Sequence, residues 1–348
     1  MEKKKVRLGL IGAGGFAGTH LAQLKDVENC EVVAIADINP EHLEEKSKEF
    51  NIKDTYLDYH DLLARDDIDA VSLPLPDQIH CQVTVDALRA GKHVLCEKPM
   101  ALDLDECKQM IRVARETGKQ LMVGQIARYS PAFAKAKELI DSGALGKVYF
   151  VESEYAHDYS GIGGAGGWRV TPEREPIIGG GCHAVDLIRM LMDESPEEVS
   201  AYACNFALVD WPIHDCTIAI MKFPSGAIGK VMTSTGCKRK YTMRTVIQGT
   251  KGTIIVDDSL PYLSLFEDKF TDNPEFAGKP QRVIEMRIPV AVNTHNFQAE
   301  AQEFCDCILS GEPVKSDGKV GASTASVCLA IVESFKTGKQ VKVDYDFD

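Results

Sequence analysis

The chain has 348 residues, of which 44% are hydrophobic and 26% are charged. This length allows two domains with substantial cores, and the composition is ordinary for a globular protein. The formal net charge of −13 argues against nucleic acid or an anionic membrane as a partner, because both require a basic face. No run approaches the roughly 18 apolar residues of a membrane span, and the first residues lack the apolar region of a secretory signal. We therefore expect a cytoplasmic protein without membrane contact.

The eleven cysteines are scattered singly within apolar runs. The closest pair, Cys305 and Cys307, has the spacing of neither a zinc knuckle nor a redox pair. We expect reduced, buried thiols, no disulfide and no bound metal.

The first 37 residues have the pattern of a dinucleotide-binding unit. A buried strand over 6–11 leads into the glycine-rich segment 12–18, and a helix over 19–27 and a strand over 31–36 follow. This order turns a weak G-x-G-x-x-A match into a specific prediction, because the amides that open the helix can bind a phosphate. Asp37 stands where a carboxylate accepts from the adenosine ribose hydroxyls. An acid there repels a 2′-phosphate, which favours NAD over NADP. The cofactor contacts predicted here are Gly12, Gly14, Gly15, Phe16, Ala17, Asp37 and Ile38.

The alternation of strands and helices continues to about residue 125. The repeated strand–helix units in this length predict one doubly wound parallel sheet, an NAD-binding Rossmann domain over residues 1–125. The further predicted strands are 70–75, 94–96 and 121–124, and the predicted helices are 40–50, 61–65, 82–90 and 104–117.

From residue 146 the strands become longer and alternate with a period of two. This pattern predicts an α/β domain over residues 126–348, with an open, mostly antiparallel sheet packed on helices through one face. The other face needs cover, so we expect a homodimer or homotetramer formed through this sheet. The predicted strands are 148–155, 199–206, 217–223, 227–233, 245–248, 253–256 and 340–343, and the predicted helices are 131–142, 293–309 and 322–337.

Residues 91–100 read Gly-Lys-His-Val-Leu-Cys-Glu-Lys-Pro-Met. A short buried strand thus delivers Glu97 and Lys98 to its carboxyl end, where ligands collect in open α/β sheets. Pro99 keeps Lys98 out of the helical conformation. Two interpretations are open for this motif alone: a lysine that holds a substrate hydroxyl, or an ion pair at the surface.

A second candidate group follows three glycines, 179–181. His183 and Asp186 are three positions apart, so they share one side of a helical turn. A histidine titrates near neutral pH and suits transfer of a hydroxyl proton. The preceding segment 158–181 is rich in glycine and proline and is predicted to cover the active site. Within it, Trp168 and Arg169 either bind a sugar ring or pack structurally.

Together these motifs resemble the Gfo/Idh/MocA oxidoreductases, the family of glucose-fructose oxidoreductase and inositol dehydrogenase. The resemblance runs nearly end to end. Five segments carry it: the glycine-rich turn 12–17, the Glu-Lys-Pro turn within 91–99, the segment 124–131, the Gly-Gly-Gly-Cys-His segment 179–189, and the Phe-Pro-Ser-Gly-Ala hairpin 223–227.

The resemblance implies a Rossmann domain, a second α/β domain, and oxidation of a sugar or cyclitol carbon with a nicotinamide cofactor. It implies that Lys98 contacts both cofactor and substrate, that His183 is the acid/base, and that Asp186 touches substrate hydroxyls. The remaining cofactor positions are Leu75, Pro76, His80, Glu97, Lys98 and Gln125. The full set of expected substrate contacts is Lys98, Arg128, His157, Trp168, Arg169, His183 and Asp186.

The sequence departs from the family pattern at three positions. Gly179 stands where an aspartate is common four residues before the histidine, so support for His183 must come from elsewhere. Asp186 or the pair His157–Asp158 are the candidates. Leu75 replaces a common threonine, and Asp77 replaces an asparagine.

The leading hypothesis is an NAD-dependent dehydrogenase that oxidises a ring hydroxyl of a sugar, glycoside or cyclitol to a ketone. One alternative is a glycosidase that retains NAD and uses transient oxidation and elimination. A sugar-sensing regulatory protein ranks last, because such a protein is expected to lose the lysine and the histidine, and both are present here.

Overall fold

A computed structural model of the chain describes residues 5–162, 167–268 and 283–347. Within these residues, the first of two compact units runs to Ile126 and includes Asn296–Ala325 and the residues from Tyr345 onward. The second unit comprises Ala127–His295 and Ser326–Asp344. The division predicted after residue 125 assigns both late segments of the first unit to the second domain, whereas their contacts group them with the first.

The first unit is built on a parallel sheet with the strand order β3-β2-β1-β4-β5-β6. The reversal of direction between β1 and β4 is the topological switch point of a doubly wound fold. The predicted Rossmann architecture is therefore confirmed. The strands are β1 (Val6–Ile11), β2 (Cys30–Ala36), β3 (Asp54–Tyr56), β4 (Ala70–Leu73), β5 (His93–Cys96) and β6 (Leu121–Val123). The helices are α1 (Gly15–Leu24), α2 (Pro40–Phe50), α3 (Tyr59–Leu63), α4 (His80–Arg89) and α5 (Leu104–Thr117).

Helices cover both faces of this sheet. Adjacent residues of a strand point to opposite faces, and β1 shows this directly. Leu10 packs in one cluster with Leu21 of α1, whereas Ile11 belongs to a second cluster with residues of α4 and α5. Almost all residues of β4 to β6 are buried, as expected of a parallel sheet that is covered on both sides.

The second unit is built on a sheet with the order β14-β13-β12-β11-β7-β10-β9-β8-β15. Its described strand pairs are antiparallel except β7 with β10, so the predicted mostly antiparallel sheet is confirmed. The strands are β7 (Val148–Ala156), β8 (Glu198–Cys204), β9 (Cys216–Lys222), β10 (Ile228–Ser234), β11 (Thr242–Gly249), β12 (Gly252–Asp257), β13 (Tyr262–Asp268), β14 (Val283–Pro289) and β15 (Val341–Lys342).

Helices α6 (Pro131–Asp141), α7 (Pro176–Gly179) and α8 (Cys182–Met192) pack on one face of this sheet. The alternating burial of β9 and β10 shows the two faces, since every second residue is buried against the helices. On the opposite face Tyr202, Ile218, Ile220 and Ile228 remain exposed. The last two helices are α9 (Phe297–Ser310) and α10 (Gly318–Thr337), and the residues of α10 divide between the units after Ala325.

Candidate active site

The glycine turn of the first unit joins β1 to α1. Gly12 has φ +106°, and a Cβ there would lie 2.9 Å from the Pro74 carbonyl oxygen, so the turn requires glycine. A Cβ built on Gly14 or Gly15 would meet no atom within 4 Å. The backbone that opens α1 therefore faces free space, and Gly14 offers no side chain to cap it. Helix amides exposed in this way form an anion site.

Asp37 follows β2 and is fixed beside this turn. Its Oδ2 accepts from the Ala13 amide at 2.6 Å, and its Oδ1 accepts from the Asn39 amide at 2.8 Å. The Nδ1 atom of His42 lies 3.8 Å from Oδ1. The carboxylate is thus held at the edge of the glycine turn, where the sequence predicts the adenosine ribose to bind.

The other predicted cofactor residues of the first unit fit a dinucleotide. Ala17 lies on the buried side of α1, whereas Phe16 and Ile38 are 39% and 88% exposed and leave apolar surface beside the turn. Gln125 is 1% exposed, and its Oε1 has no hydrogen-bond partner among the described residues. A buried acceptor of this kind is costly unless a ligand supplies a donor. The residues present therefore fit the NAD that the sequence predicts.

The Glu97-Lys98-Pro99 turn follows β5 at the same edge of the sheet, and the bond between Lys98 and Pro99 is cis. Glu97 is buried, and its Oε1 lies 3.0 Å from Nε2 of His20. The second ring nitrogen of His20 lies 3.1 Å from Oγ of Ser72 on β4. Burial raises the pKa of the Glu97 carboxyl, but the contacts with His20 and Lys98 outweigh burial and lower its pKa. Glu97 is therefore a buried carboxylate that anchors the turn, and Lys98 beside it is half-buried.

The end of β4 contributes the remaining predicted cofactor positions. Leu75 and Pro76 are half-buried, and His80 opens α4 as a fully buried residue. Its ring nitrogens face two carbonyls, Nδ1 at 2.8 Å from Pro99 and Nε2 at 3.1 Å from Leu75. His80 therefore joins the end of β4 to the turn that carries Lys98.

In the second unit the three glycines before His183 allow close packing. A Cβ on Gly180 would overlap the Tyr155 ring, and one on Gly181 would overlap the Thr233 hydroxyl. The glycines thus bring the start of α8 against β7 and β10. His183 is 3% exposed and lies in the first turn of α8.

Around His183 lies a cluster of tyrosine and histidine rings. The Tyr155 ring is stacked at 6.2 Å from the His183 ring, and the His295 ring lies edge-on at 6.3 Å. The hydroxyl of Tyr155 lies 3.1 Å from His157 Nδ1 and 3.3 Å from the Tyr159 hydroxyl. Burial raises the pKa of Tyr155 well above its ordinary value, so this hydroxyl stays protonated. We name the tyrosine–histidine cluster by its members, which are Tyr155, His157, Tyr159, His183, Tyr241 and His295.

Two predicted substrate residues pair with each other. Arg128 forms a bidentate ion pair with Asp186, with Nε at 2.6 Å from Oδ2 and Nη2 at 2.8 Å from Oδ1. Nη1 of Arg189 lies 3.7 Å from Oδ1. Asp186 is fully buried. Its carboxylate is therefore committed to two arginines, and its ion pair with Arg128 fixes α8 to the segment that precedes α6.

The space beside Gly179 is taken by a guanidinium. A Cβ on Gly179 would overlap the guanidinium of Arg174, which is 1% exposed. The Arg174 and Arg169 guanidinium carbons lie 5.0 and 4.3 Å from the centroid of the Trp168 ring. The departure at position 179 thus has a steric reason, because any side chain there would displace Arg174. Trp168 carries two arginines, an arrangement that stabilises the ring by cation–π interactions.

The pair His157–Asp158 was the second candidate to support His183, and Asp158 is engaged in other contacts. Asp158 accepts from the Ser160 amide at 3.0 Å and lies 3.2 Å from Lys238 Nζ. These contacts lower the pKa of Asp158 to about 2. The predicted covering segment 158–181 includes residues 163–166, which lie outside the described part of the chain.

Several residues of these groups were missed from the sequence. These residues are His20, Arg174, Tyr241 and His295. None of them was assigned a role from the sequence, although Arg174 lies within the predicted covering segment 158–181. His20 had the clearest signal, since it lies one helical turn after Phe16 on the helix that follows the glycine turn. Among the described residues no cluster of three or more His, Cys, Asp or Glu could hold a metal ion. No helix in the described ranges is both long and apolar enough to cross a bilayer.

Comparison with known proteins gives a consistent result. Residues 6–125 match the model of an oxidoreductase family with an NAD-binding Rossmann fold, and residues 133–255 match that of the GFO/IDH/MocA C-terminal domain. The myo-inositol 2-dehydrogenase of Thermotoga maritima is 26% identical, over 97% of this chain and 99% of its own. The inositol 2-dehydrogenase of Salmonella typhimurium is 27% identical, over 95% and 96%. A solved levoglucosan dehydrogenase in complex with NADH and levoglucosan has the same fold, with a TM-score of 0.87 at 24% identity over 98% of this chain and 100% of that one.

Proposed function

Because the chain belongs to the Gfo/Idh/MocA family of NAD-binding oxidoreductases, we propose that it oxidises a ring hydroxyl of a cyclitol or sugar to a ketone, with Lys98 and His183 handling the hydroxyl proton. The curated relatives named above are inositol dehydrogenases, which favours a cyclitol or a similar ring. The observation that carries the proposal is the juxtaposition of Lys98 and the open glycine turn at one edge of the first sheet.

The two ends of the cofactor would be held by different residues. Gly14 and Gly15 would bind the pyrophosphate through the amides that open α1, and Asp37 would accept from the adenosine ribose. Gln125 and the end of β4 would hold the nicotinamide half. Bound NAD would supply the hydride acceptor for the carbon that is oxidised.

Lys98 and His183 would have different roles at the substrate hydroxyl. The ammonium of Lys98 donates a hydrogen bond to the substrate oxygen and stabilises the negative charge that develops there. The imidazole of His183 accepts the hydroxyl proton as the ketone forms. The tyrosine–histidine cluster would exchange this proton, since the Tyr155 hydroxyl can donate and accept. Trp168 and Arg169 supply a face and donors for a polyhydroxylated ring.

Asp186 and Arg128 would act as a pair in this scheme. Their bidentate contact orients α8 and with it His183, while an oxygen lone pair of the carboxylate can still meet a substrate hydroxyl. His157 would reach the substrate from the end of β7. These roles complete the set of substrate contacts that the sequence predicts.

The test is NADH formation by purified protein that is given NAD and a panel of cyclitols, free hexoses and glycosides. We expect a signal with one class, and a loss of at least about a hundredfold in kcat/KM for Lys98→Ala and for His183→Ala. Lys48→Ala and His60→Ala are the matched controls, because both side chains are mostly exposed on the first unit. Silence across the panel with NAD retained through purification would instead point to the NAD-retaining glycosidase. Absence of NAD binding would overturn the proposal.

We further infer that a second copy of the chain covers the open face of the second sheet. Tyr202 is 80% exposed and Ile220 is 48% exposed on this face. Ile218, on the same face of β9, lies in register with Tyr202 on β8 and with Met232 on β10, so apolar side chains lie side by side across three strands. Surfaces of this kind support subunit association.

A further inference from the structure

The buried histidine at the start of α4 has a carbonyl oxygen against each of its two ring nitrogens. Nδ1 of His80 lies 2.8 Å from the Pro99 carbonyl oxygen, and Nε2 lies 3.1 Å from the Leu75 carbonyl oxygen. A carbonyl oxygen can only accept a hydrogen bond. A neutral imidazole carries one proton, so in that form one ring lone pair would point at an oxygen lone pair. The ring is fully buried, so solvent cannot separate the two.

We propose that His80 is a permanently charged imidazolium that clamps the end of β4 to the Glu97-Lys98-Pro99 turn and so positions Lys98. Both N–H groups then donate, one to Leu75 and one to Pro99. The role of Lys98 rests on the function proposed above, whereas the charge of His80 does not. His80 is a positioning residue here, since it acts on the turn and not on the substrate.

The surroundings of His80 supply the compensation that a buried cation needs. Asp77, which is 2% exposed, lies on the turn before α4 and interacts with the ring charge. Cys96 contacts the ring from β5, and Glu106 on α5 also feels its charge. Burial lowers the pKa of His80, but Cys96, Asp77 and the Pro99 carbonyl raise it to about 10 in total. The aspartate at position 77 thus has a use that an asparagine would lack, because it carries the counter-charge.

Two other histidines of the first unit show why this one differs. His93 accepts a hydrogen bond at Nδ1 from the Gln120 amide at 3.0 Å, so its Nδ1 carries no proton. His20 faces Glu97 with one nitrogen and the Ser72 hydroxyl with the other, and a hydroxyl can donate. A single ring proton therefore satisfies His20, and none of the contacts of His93 requires a second. His20 and His80 hold the Lys98 turn from both sides, through Glu97 and through Pro99.

The charge is tested by nitrogen–proton correlation spectra of full-length protein with ring-labelled histidine and bound NAD. We expect both ring nitrogens of His80 to remain protonated from pH 6 to about pH 9, whereas His93 shows one protonated nitrogen at pH 7. His80→Gln and His93→Gln assign the two rings. If His80→Gln does not fold, single substitutions of the other histidines, of nine in the chain, identify its signals by elimination. A singly protonated His80 ring at pH 7 would overturn the proposal.

The positioning role is tested by kinetics with the substrate found in the panel. Glutamine cannot donate in two opposite directions, so we expect His80→Gln to lower kcat about a hundredfold. KM should stay within about threefold. The number of NAD molecules bound per chain, which counts folded sites, should match that of the unaltered protein. His93→Gln, which keeps an acceptor for Gln120, should leave kcat unchanged. Unchanged kcat in folded His80→Gln would reject the positioning role. If the unaltered protein oxidises no compound, the function proposed above fails while the spectra still decide the charge.

Discussion

At the scale of single residues, the position of Asp37 predicts a preference for NAD over NADP. Both of its oxygens accept backbone amides, so the carboxylate is held rigidly beside the glycine turn. A 2′-phosphate placed there would meet a fixed negative charge. We expect Asp37→Ser to weaken NAD binding and to narrow the preference for NAD over NADP by about tenfold, since one charge repulsion is removed.

The measurement is the dissociation constant of each cofactor by fluorescence titration at two salt concentrations. The Asp37→Asn variant keeps the shape of the side chain and isolates its charge. If NADP binds no better in either variant, the carboxylate does not set the preference.

Asp258 is a buried carboxyl with an unusual titration. It is 3% exposed and accepts from the Met243 amide at 2.9 Å. Burial raises the pKa of this carboxyl to about 6, above the ordinary value of about 4 for an aspartate. Between about pH 4 and about pH 6 the Asp258 carboxyl is therefore protonated in the folded state but ionised in the unfolded state. Stability contributed by Asp258 is highest at low pH and falls as the pH rises from about 4 to about 6.

We expect Asp258→Asn to stabilise the protein, by about 2 kcal/mol more at pH 8 than at pH 4, because asparagine keeps the acceptor without the charge. Denaturant unfolding of both proteins at the two pH values measures this difference. Asp26→Asn, which removes an exposed carboxylate, is the control for the substitution itself. A gain at pH 4 as large as that at pH 8 would contradict the prediction.

At the scale of elements, the ion pair between Arg128 and Asp186 determines where α8 lies. Asp186 has 1% of its side chain exposed and Arg128 has 17%. Removal of one partner from such a pair leaves a buried charge and costs about 3 kcal/mol. We therefore expect Arg128→Met to lower the melting temperature by about 5 °C or more. Lys135→Met is the matched control, because its pair with Glu138 on α6 is largely exposed and contributes little.

A calorimetric scan of each variant tests this. Arg128→Met together with Asp186→Leu should recover part of the loss, since no uncompensated charge remains. If Arg128→Met has the same melting temperature as the unaltered protein, the ion pair does not stabilise the position of α8.

The helices and strands show which bounds could be predicted from sequence patterns and which could not. Helices α2 and α5 have the predicted bounds, because a capping residue and a left-handed C-cap mark their ends. Strands β3, β13 and β14 were not predicted. Of these, β3 and β14 are largely exposed and lack the buried alternation that marks a strand. Helix α1 begins at Gly15, four residues before its predicted start, because glycine gives no helix signal although the phosphate site requires one there.

The residues of the candidate site also fall into two groups, those that a local motif predicts and those that depend on tertiary packing. Residues that lie in a local motif, such as Gly12, Asp37 and Lys98, could be predicted from spacing. The pair Arg128–Asp186 joins positions 58 apart in the sequence, and the packing of Arg174 on Gly179 depends on the path of the covering segment. Contacts of this kind follow from tertiary packing and leave no periodic signal. The sequence showed that a carboxylate is missing at position 179, and the structure gives the reason.

At the scale of the whole molecule, the open face of the second sheet predicts the oligomeric state. Polar groups on this face are already satisfied by cross-strand pairs, such as Lys230 with Glu152 at 3.1 Å. The apolar side chains beside them have no such compensation, and their burial in an interface contributes about 25 cal/mol per Å². Ile220 lies at the centre of β9, so a charge there would be buried by any partner that covers the face.

We expect Ile220→Asp to convert an oligomer into single chains, as measured by light scattering during size-exclusion chromatography over a range of concentrations. Leu57→Asp is the control, because Leu57 is 59% exposed on the first unit and outside this face. If the face joins subunits, the control elutes with the unaltered protein while Ile220→Asp elutes with the mass of one chain and a lower melting temperature. An unaltered protein that is already a single chain at all concentrations would contradict the proposed assembly, as would an Ile220→Asp variant that stays oligomeric.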